Sequence, residues 1–128
     1  MSGFYDQLGE RFMTLAIAVM SMEKWLLRSF SGRHVYGQLF RAVTSAGANY
    51  EEARAGESRA DFIHKMQIVL KELRESAYWL RLIAGMKLNS ADEIPCKELL
   101  TKTDELMKII GRSIVTAKSR NHKPEAPE

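Results

Sequence analysis

Metal chemistry on long helices requires carboxylates and histidines at regular spacing, and this chain of 128 residues offers a few. A di-iron bundle takes one Glu from each of two helices and a Glu-x-x-His motif from each of the other two. Only one acid-x-x-His motif occurs here, from Asp61 to His64. Helical pyrophosphatases that bind magnesium need an ExxE followed by an ExxD, and no ExxD accompanies the ExxE of Glu72 and Glu75. We therefore predict no metal site and no cofactor.

The sequence also lacks the signs of covalent catalysis and of a phosphate-binding loop. None of the three histidines is paired in sequence with a Ser or Cys nucleophile, and the eight glycines are scattered along the chain. An enzyme would require Glu52, Glu72 and Glu75 to converge on a cavity with raised pKa values. We predict a protein without enzymatic activity.

Composition bounds the class of protein. Hydrophobic residues make up 45% of the chain and charged residues 27%, which indicates one soluble globular domain and excludes a disordered chain. The apolar run at residues 12–22 is too short to span a bilayer, so no membrane partner is expected. The one cysteine, Cys96, excludes an intramolecular disulfide and is typical of a reducing compartment. These features predict a cytoplasmic protein.

Apolar residues recur at spacings of three and four along most of the chain, which predicts helices and no strand. The first helix is expected to end at Ser31-Gly32, and Ser58 with Asp61 forms a capping box that begins the third. Four long helices with short links predict an all-α, antiparallel up-down-up-down four-helix bundle over residues 1–120. The expected helices span about 4–29, 34–54, 59–87 and 96–119, with a turn at 89–95 and a flexible tail at 121–128.

Each predicted helix has one main apolar face. A monomeric bundle needs one such face per helix, but the first and third helices carry a second apolar set, which favours a homo-oligomer. The alternative is a wide core with scattered apolar residues at the surface. The second sets are Ile17, Met20, Trp25 and Leu27, and Ile63, Leu70, Tyr78, Trp79 and Leu82. The expected core is Leu8, Phe12, Leu15, Val19, Met22, Leu26, Val35, Leu39, Ala42, Val43, Ala46, Tyr50, Ala53, Phe62, Met66, Val69, Leu73, Ala77, Leu80, Ala84, Leu99, Thr103, Leu106, Ile110 and Val115.

Polar residues also recur at helical spacing on the second and third helices. They either form two solvated faces or pair across the helices or between subunits, which would fix the register of the bundle. The candidate members of such a network are Arg41, Asn49, Glu52, Lys65, Glu72 and Glu75.

A stretch of one charge sign follows Glu105, since the next acidic residue is Glu125. Basic residues in such a stretch can contact phosphates, or they can simply interact with the negative end of the helix dipole. No aromatic residues alternate with them, so they are expected to contact the backbone of a nucleic acid without stacking on its bases. The candidate phosphate contacts are Arg112, Lys118, Arg120 and Lys123, followed by Arg28, Arg33 and Arg54.

Four blocks of sequence at fixed spacing resemble a known family. They are QLFRA at 38–42, SAGANYEEA at 45–53, ESRADFIHK at 57–65 and KELRESAYWL at 71–80. Together they resemble the bacterial four helix bundle proteins encoded by intervening sequences within 23S ribosomal RNA genes. One departure is Tyr50, where the family often has isoleucine. The resemblance is dense over residues 35–85 and extends to the flanking helices by length and pattern.

The resemblance implies an antiparallel helical bundle that assembles as a homopentamer. It also implies a fold similar to the accessory variability protein of diversity-generating retroelements, a basic pentamer that binds a reverse transcriptase and nucleic acid. No enzymatic activity is generally ascribed to the family.

Two functions are compatible with these observations. The first is a non-enzymatic homo-oligomer that binds nucleic acid, above all structured RNA, because five copies of a chain with net charge +3 would carry about +15. The second is a protein-interaction scaffold or accessory subunit for a partner such as a reverse transcriptase. Trp25, Tyr78 and Trp79 would then anchor the partner.

Overall fold

The computed structural model describes residues 3–86 and 95–122, with side chains through residue 120. Over these residues the chain forms four long helices, one short helix and no strand. The helices are α1 (Phe4–Met20), α2 (Glu23–Leu26), α3 (Phe30–Arg54), α4 (Arg59–Gly85) and α5 (Cys96–His122). The predicted all-α four-helix bundle is confirmed.

The long helices pack as antiparallel neighbours in chain order. α1 packs on α3, α3 on α4 and α4 on α5, while α5 and α1 touch only slightly. We call the end with the starts of α1 and α4 and the ends of α3 and α5 the cleft end. The opposite end, which holds α2 and the start of α3, is the elbow end.

The prediction of one continuous helix over residues 4–29 is wrong beyond Met20. α1 ends at Met20, and after a turn at Ser21 the chain forms the short α2. Met22 and Leu26 are nevertheless fully buried, so the apolar spacing continues through the turn although the helix does not. This continuity of burial is why the sequence pattern gave no sign of the break.

The start of α3 also differs from the prediction that Ser31-Gly32 would break a helix. Ser29 caps α3, and its hydroxyl accepts a hydrogen bond from the Gly32 amide at 3.0 Å. A Cβ at Gly32 would overlap the carbonyl oxygen of Leu26. Glycine is therefore required inside the first turn of α3 because the backbone of α2 passes so close to it.

The remaining boundaries differ by a few residues. α4 begins as predicted, with the Ser58 hydroxyl accepting from the Asp61 amide at 3.0 Å, and ends at Gly85 rather than at 87. α5 reaches His122, so residues 121–122 are helical rather than part of a tail. Residue 87, the predicted turn at 89–94 and the rest of the predicted tail, 123–128, lie outside the described residues.

The predicted core is buried with few exceptions. Ala84 and Val115 are exposed, and Ile83 and Ile114 are buried in their place. Phe62 is half-buried, and the neighbouring Ile63 is buried. Each shift is of one residue, because steps of three and of four both stay near one helical face. Val115, five residues after Ile110, lies about 140° round the helix from it.

Two glycines of α3 have different surroundings. An ideal Cβ at Gly47 would touch the Cβ of Phe12 at 3.4 Å, so α1 approaches closely there. At Gly37 no atom of the described residues lies within 4 Å of such a Cβ.

Candidate nucleic-acid interface

Three basic residues near the end of α5 are exposed: Arg112, Lys118 and Arg120. Ile110, Ile114 and Ala117 are buried and hold this part of α5 on the bundle. Arg112 and Arg120 lie eight residues apart, so they share one face of the helix about 12 Å apart along its axis. Lys118 projects from the opposite flank. Within residues 3–86 and 95–120, no carboxylate forms an ion pair with Arg112, Lys118 or Arg120.

Arg112 and Arg120 line a cleft of about 330 Å³ between α5, the first turn of α1 and the first turn of α4. Phe4 and Tyr5 form its opposite wall and are 57% and 46% exposed. Their rings meet edge to face, with centroids 5.3 Å apart. Phe62 and uncharged residues of α5 complete the lining: Ile109, Ser113, Thr116 and Ala117.

The sequence did not predict this cleft. Phe4 and Tyr5 are more than 100 residues from Arg112, so no local motif interleaves aromatic and basic residues. The antiparallel topology brings the beginning of α1 beside the end of α5 and thereby joins the two sets. Aromatic side chains therefore lie beside the basic stretch in the fold, although none alternates with it in the sequence.

The aromatic wall is fixed to α3 by a buried tyrosine. Tyr50 is fully buried and stacks on Phe12 with ring centroids 4.9 Å apart. Its hydroxyl donates a hydrogen bond of 2.7 Å to the carbonyl oxygen of Tyr5. Burial raises the pKa of Tyr50 to about 12, so the hydroxyl keeps its proton at neutral pH.

Arg54, a predicted phosphate contact, instead joins α1 to α3. It bonds the Asp6 carboxylate and also lies 3.2 Å from a carboxylate oxygen of Glu51. Its hydrogen bond and charge lower the pKa of Asp6. With its charge balanced by two carboxylates, Arg54 secures the first turn of α1 rather than offering a free cation.

The other predicted phosphate contacts do not lie at the cleft. Arg28 and Arg33 are exposed at the elbow end, where Arg33 donates to the Leu27 carbonyl oxygen at 3.4 Å. From Arg33 to Arg54 the axis of α3 rises about 30 Å. Lys123 lies outside the described residues. The structure therefore separates the six described candidates into two groups, with Arg28 and Arg33 at the elbow end and the other four at the cleft end.

The predicted polar network lies between α3 and α4. Arg41 contacts Glu72 at 3.2 Å and also pairs with Glu75, and Lys65 contacts Glu52 at 3.1 Å. Asn49 is not part of it, since its amide donates to the Ser45 carbonyl on the same helix at 2.9 Å. These pairs span the helices at matching heights and so fix the register of α3 against α4.

Glu75 is held in its charged form by two donors. The indole N–H of Trp79 donates to it at 3.0 Å, and Arg41 lies beside it. Both interactions lower the pKa of Glu75. At pH values above the ordinary pKa of a glutamate, these two interactions therefore stabilise the fold. Their contribution is lost as the pH falls through the lowered pKa of Glu75.

Each glutamate that an enzyme would need is paired with a cation of the neighbouring helix. Glu52 pairs with Lys65, whereas Glu72 and Glu75 pair with Arg41. Across 3–86 and 95–120, no three His, Cys, Asp or Glu side chains are grouped as metal ligands. Burial raises the pKa of the Cys96 thiol to about 11, so it stays protonated at neutral pH.

Apolar side chains remain exposed on α1 and at the elbow end. Met13, Ile17 and Met20 share one face of α1. A groove of about 300 Å³ beside them, between α1 and α3, is lined mostly by small and apolar residues. At the elbow end, Leu27, Phe30, Tyr78 and Leu82 are exposed, and Trp25 and Trp79 are half-buried.

None of the helices in the described part of the chain is both long and apolar enough to cross a membrane.

Fold and site together define a four-helix-bundle protein with a basic and aromatic cleft at one end. The family model of the 23S rRNA-intervening sequence proteins matches residues 9–112, and the chain belongs to this family. The resemblance predicted from the four sequence blocks is thus confirmed. Phe4, Tyr5 and Arg120 lie outside the matched range.

A solved structure has the same fold. It is a protein of unknown function from the S23 ribosomal protein family of Bacteroides thetaiotaomicron VPI-5482, 29% identical to this chain with a TM-score of 0.73. The alignment covers 84% of this chain and 97% of that chain. No curated protein matches the chain.

Proposed function

We propose that this protein is a non-enzymatic, cytoplasmic homo-oligomer that binds structured RNA through the phosphates of the RNA backbone. The observation that carries the proposal is the exposed set of basic residues on the last turns of α5, Arg112, Lys118 and Arg120, none of which has a carboxylate partner among the described side chains. The family's name associates its members with 23S rRNA. A buried, lone Cys96 suits a reducing compartment.

Arginine is well suited to this role. Its planar guanidinium stays charged and can donate two parallel hydrogen bonds to one phosphate. Binding of such cations to RNA releases condensed counterions, which supplies most of the affinity at low salt. No acidic residue stands between Glu105 and Glu125, so α5 itself offers these arginines no acidic neighbour in the next turns of the helix.

Self-association would multiply this charge. The exposed face of Met13, Ile17 and Met20 supports contact with a second copy of the chain, because an apolar stripe of this kind is costly to leave in water. We propose that the assembly has five subunits, which is the number that the family resemblance implies. The net charge of such an assembly would be about +15.

Binding of a fluorescently labelled RNA hairpin at increasing salt tests the proposal. We expect binding at about 50 mM monovalent salt and a loss of roughly tenfold to a hundredfold in affinity at about 200 mM, for about three phosphate contacts per protomer. Fluorescence anisotropy measures both values. No binding at low salt, or an affinity that salt leaves unchanged, would contradict RNA binding through phosphates.

A second candidate function is a scaffold or accessory subunit for a protein partner such as a reverse transcriptase. The exposed Phe30 and Tyr78 favour it, since aromatic side chains often anchor protein interfaces. Phe30 is 81% exposed, and both residues lie at the elbow end. This function would use the opposite end of the bundle from the RNA site.

A further inference from the structure

We propose that the cleft between α1 and α5 binds one unpaired nucleotide of RNA, with its base against Phe4 and Tyr5 and its phosphates at Arg112 and Arg120. The inference rests on the proposed function and names the part of the RNA that the site selects: a loop, bulge or single-stranded end rather than a duplex.

The aromatic wall is the first reason. Two exposed rings at the start of α1 are costly to leave in water unless they contact something. An unstacked base offers a flat π surface to such rings, and proteins that bind single strands use stacking of this kind. Bases within a duplex are stacked on one another, so their faces are not available to Phe4 or Tyr5.

The opposite wall is the second reason. Arg112 and Arg120 face the aromatic pair across the cleft, and no carboxylate is among the residues that line it. The site therefore has a positive side for phosphate and an apolar side for a base. A nucleotide in an RNA strand presents these two chemical groups together. A volume of about 330 Å³ suits a ligand of the size of one nucleotide.

The rigidity of the site is the third reason. The bond from Tyr50 to the Tyr5 carbonyl and the ion pair between Arg54 and Asp6 fix the first turn of α1 in place. A platform fixed before binding loses less conformational entropy when the base stacks. Tyr50 thus acts as a positioning residue for the aromatic wall.

Comparison of single-stranded with double-stranded RNA tests the inference. The probes are a short labelled oligouridylate and a blunt RNA duplex of equal length, each titrated with the full chain at low salt. We expect the variant with Phe4→Leu and Tyr5→Leu to bind the oligouridylate about tenfold more weakly and to bind the duplex within about twofold of the unmodified protein. Leucine keeps the positions apolar and helical but removes the ring faces.

Phe30→Leu is the matched control, because it removes an exposed ring at the elbow end and should leave both affinities unchanged. If both probes bind and the double variant loses no affinity, or loses it equally for both probes, the nucleotide site is wrong while phosphate binding stands. If neither probe binds at low salt, the proposed function itself fails, and the nucleotide site fails with it. Circular dichroism melting establishes that each variant is folded.

Discussion

Replacing Arg112 and Arg120 together by glutamine is expected to weaken binding of an RNA hairpin by roughly tenfold to a hundredfold at low salt. Both side chains are exposed, so the change removes two positive charges without disturbing the core. Glutamine retains hydrogen-bond donors but cannot form charged contacts with phosphate. The slope of log affinity against log salt should become shallower by about two, one for each lost phosphate contact. Anisotropy titrations over a salt series give both quantities.

Arg28→Gln with Arg33→Gln is the control for this prediction. The pair carries the same change in charge but lies at the elbow end, about 30 Å away along the bundle. At about 50 mM salt the Debye length is about 14 Å, roughly half that separation, so the control should lose only a few-fold in affinity. An equal loss in both variants would show that net charge alone drives binding and would contradict a site at the cleft end.

Introducing charge on the exposed face of α1 is expected to separate the subunits. The variant with Met13→Lys and Ile17→Lys would place unpaired ammonium groups in an apolar interface, which costs several kcal/mol per buried charge. Sedimentation should give a mass near five times 14.6 kDa for the unmodified protein and near 14.6 kDa for the variant. Both positions are exposed in the single chain, so the helical content should not change.

A matched variant separates this effect from added charge in general. Gln67→Lys with Thr101→Lys adds the same two charges at exposed polar positions on α4 and α5 and should leave the assembly intact. An unmodified protein that sediments as a single chain would contradict the homo-oligomer. An assembly that survives both lysines on α1 would contradict the placement of the interface on this face of α1.

Much of the fold could be predicted from the sequence, because burial in a helical bundle follows the helical repeat. The apolar faces located all four long helices, and Ser58 with Asp61 marked the start of α4. The turn between α1 and α2 could not be found in this way, since Val19 before it, Met22 within it and Leu26 after it are all buried. The role of Gly32 depends on the position of the Leu26 backbone, which only the folded chain defines.

The candidate site was predictable only in part. The basic residues of α5 stand out in the sequence because no acid follows Glu105 for 19 residues. The sequence does not reveal which arginines form ion pairs within the fold. Arg54 forms them with Asp6 and Glu51. The aromatic wall could have been suspected from Phe4-Tyr5 at the start of a helix. Its place beside Arg112 follows from the antiparallel packing.

The most direct test of RNA binding at the cleft end is photo-cross-linking of the full chain to an RNA hairpin that carries 4-thiouridine in its loop. Mass spectrometry of the digested complex identifies the peptides attached to RNA. We predict cross-links in the first turn of α1, which contains Phe4 and Tyr5, and in α5 around Arg112 and Arg120. Cross-links confined to the elbow end around Arg28 and Arg33, or none at low salt, would contradict this placement of the RNA.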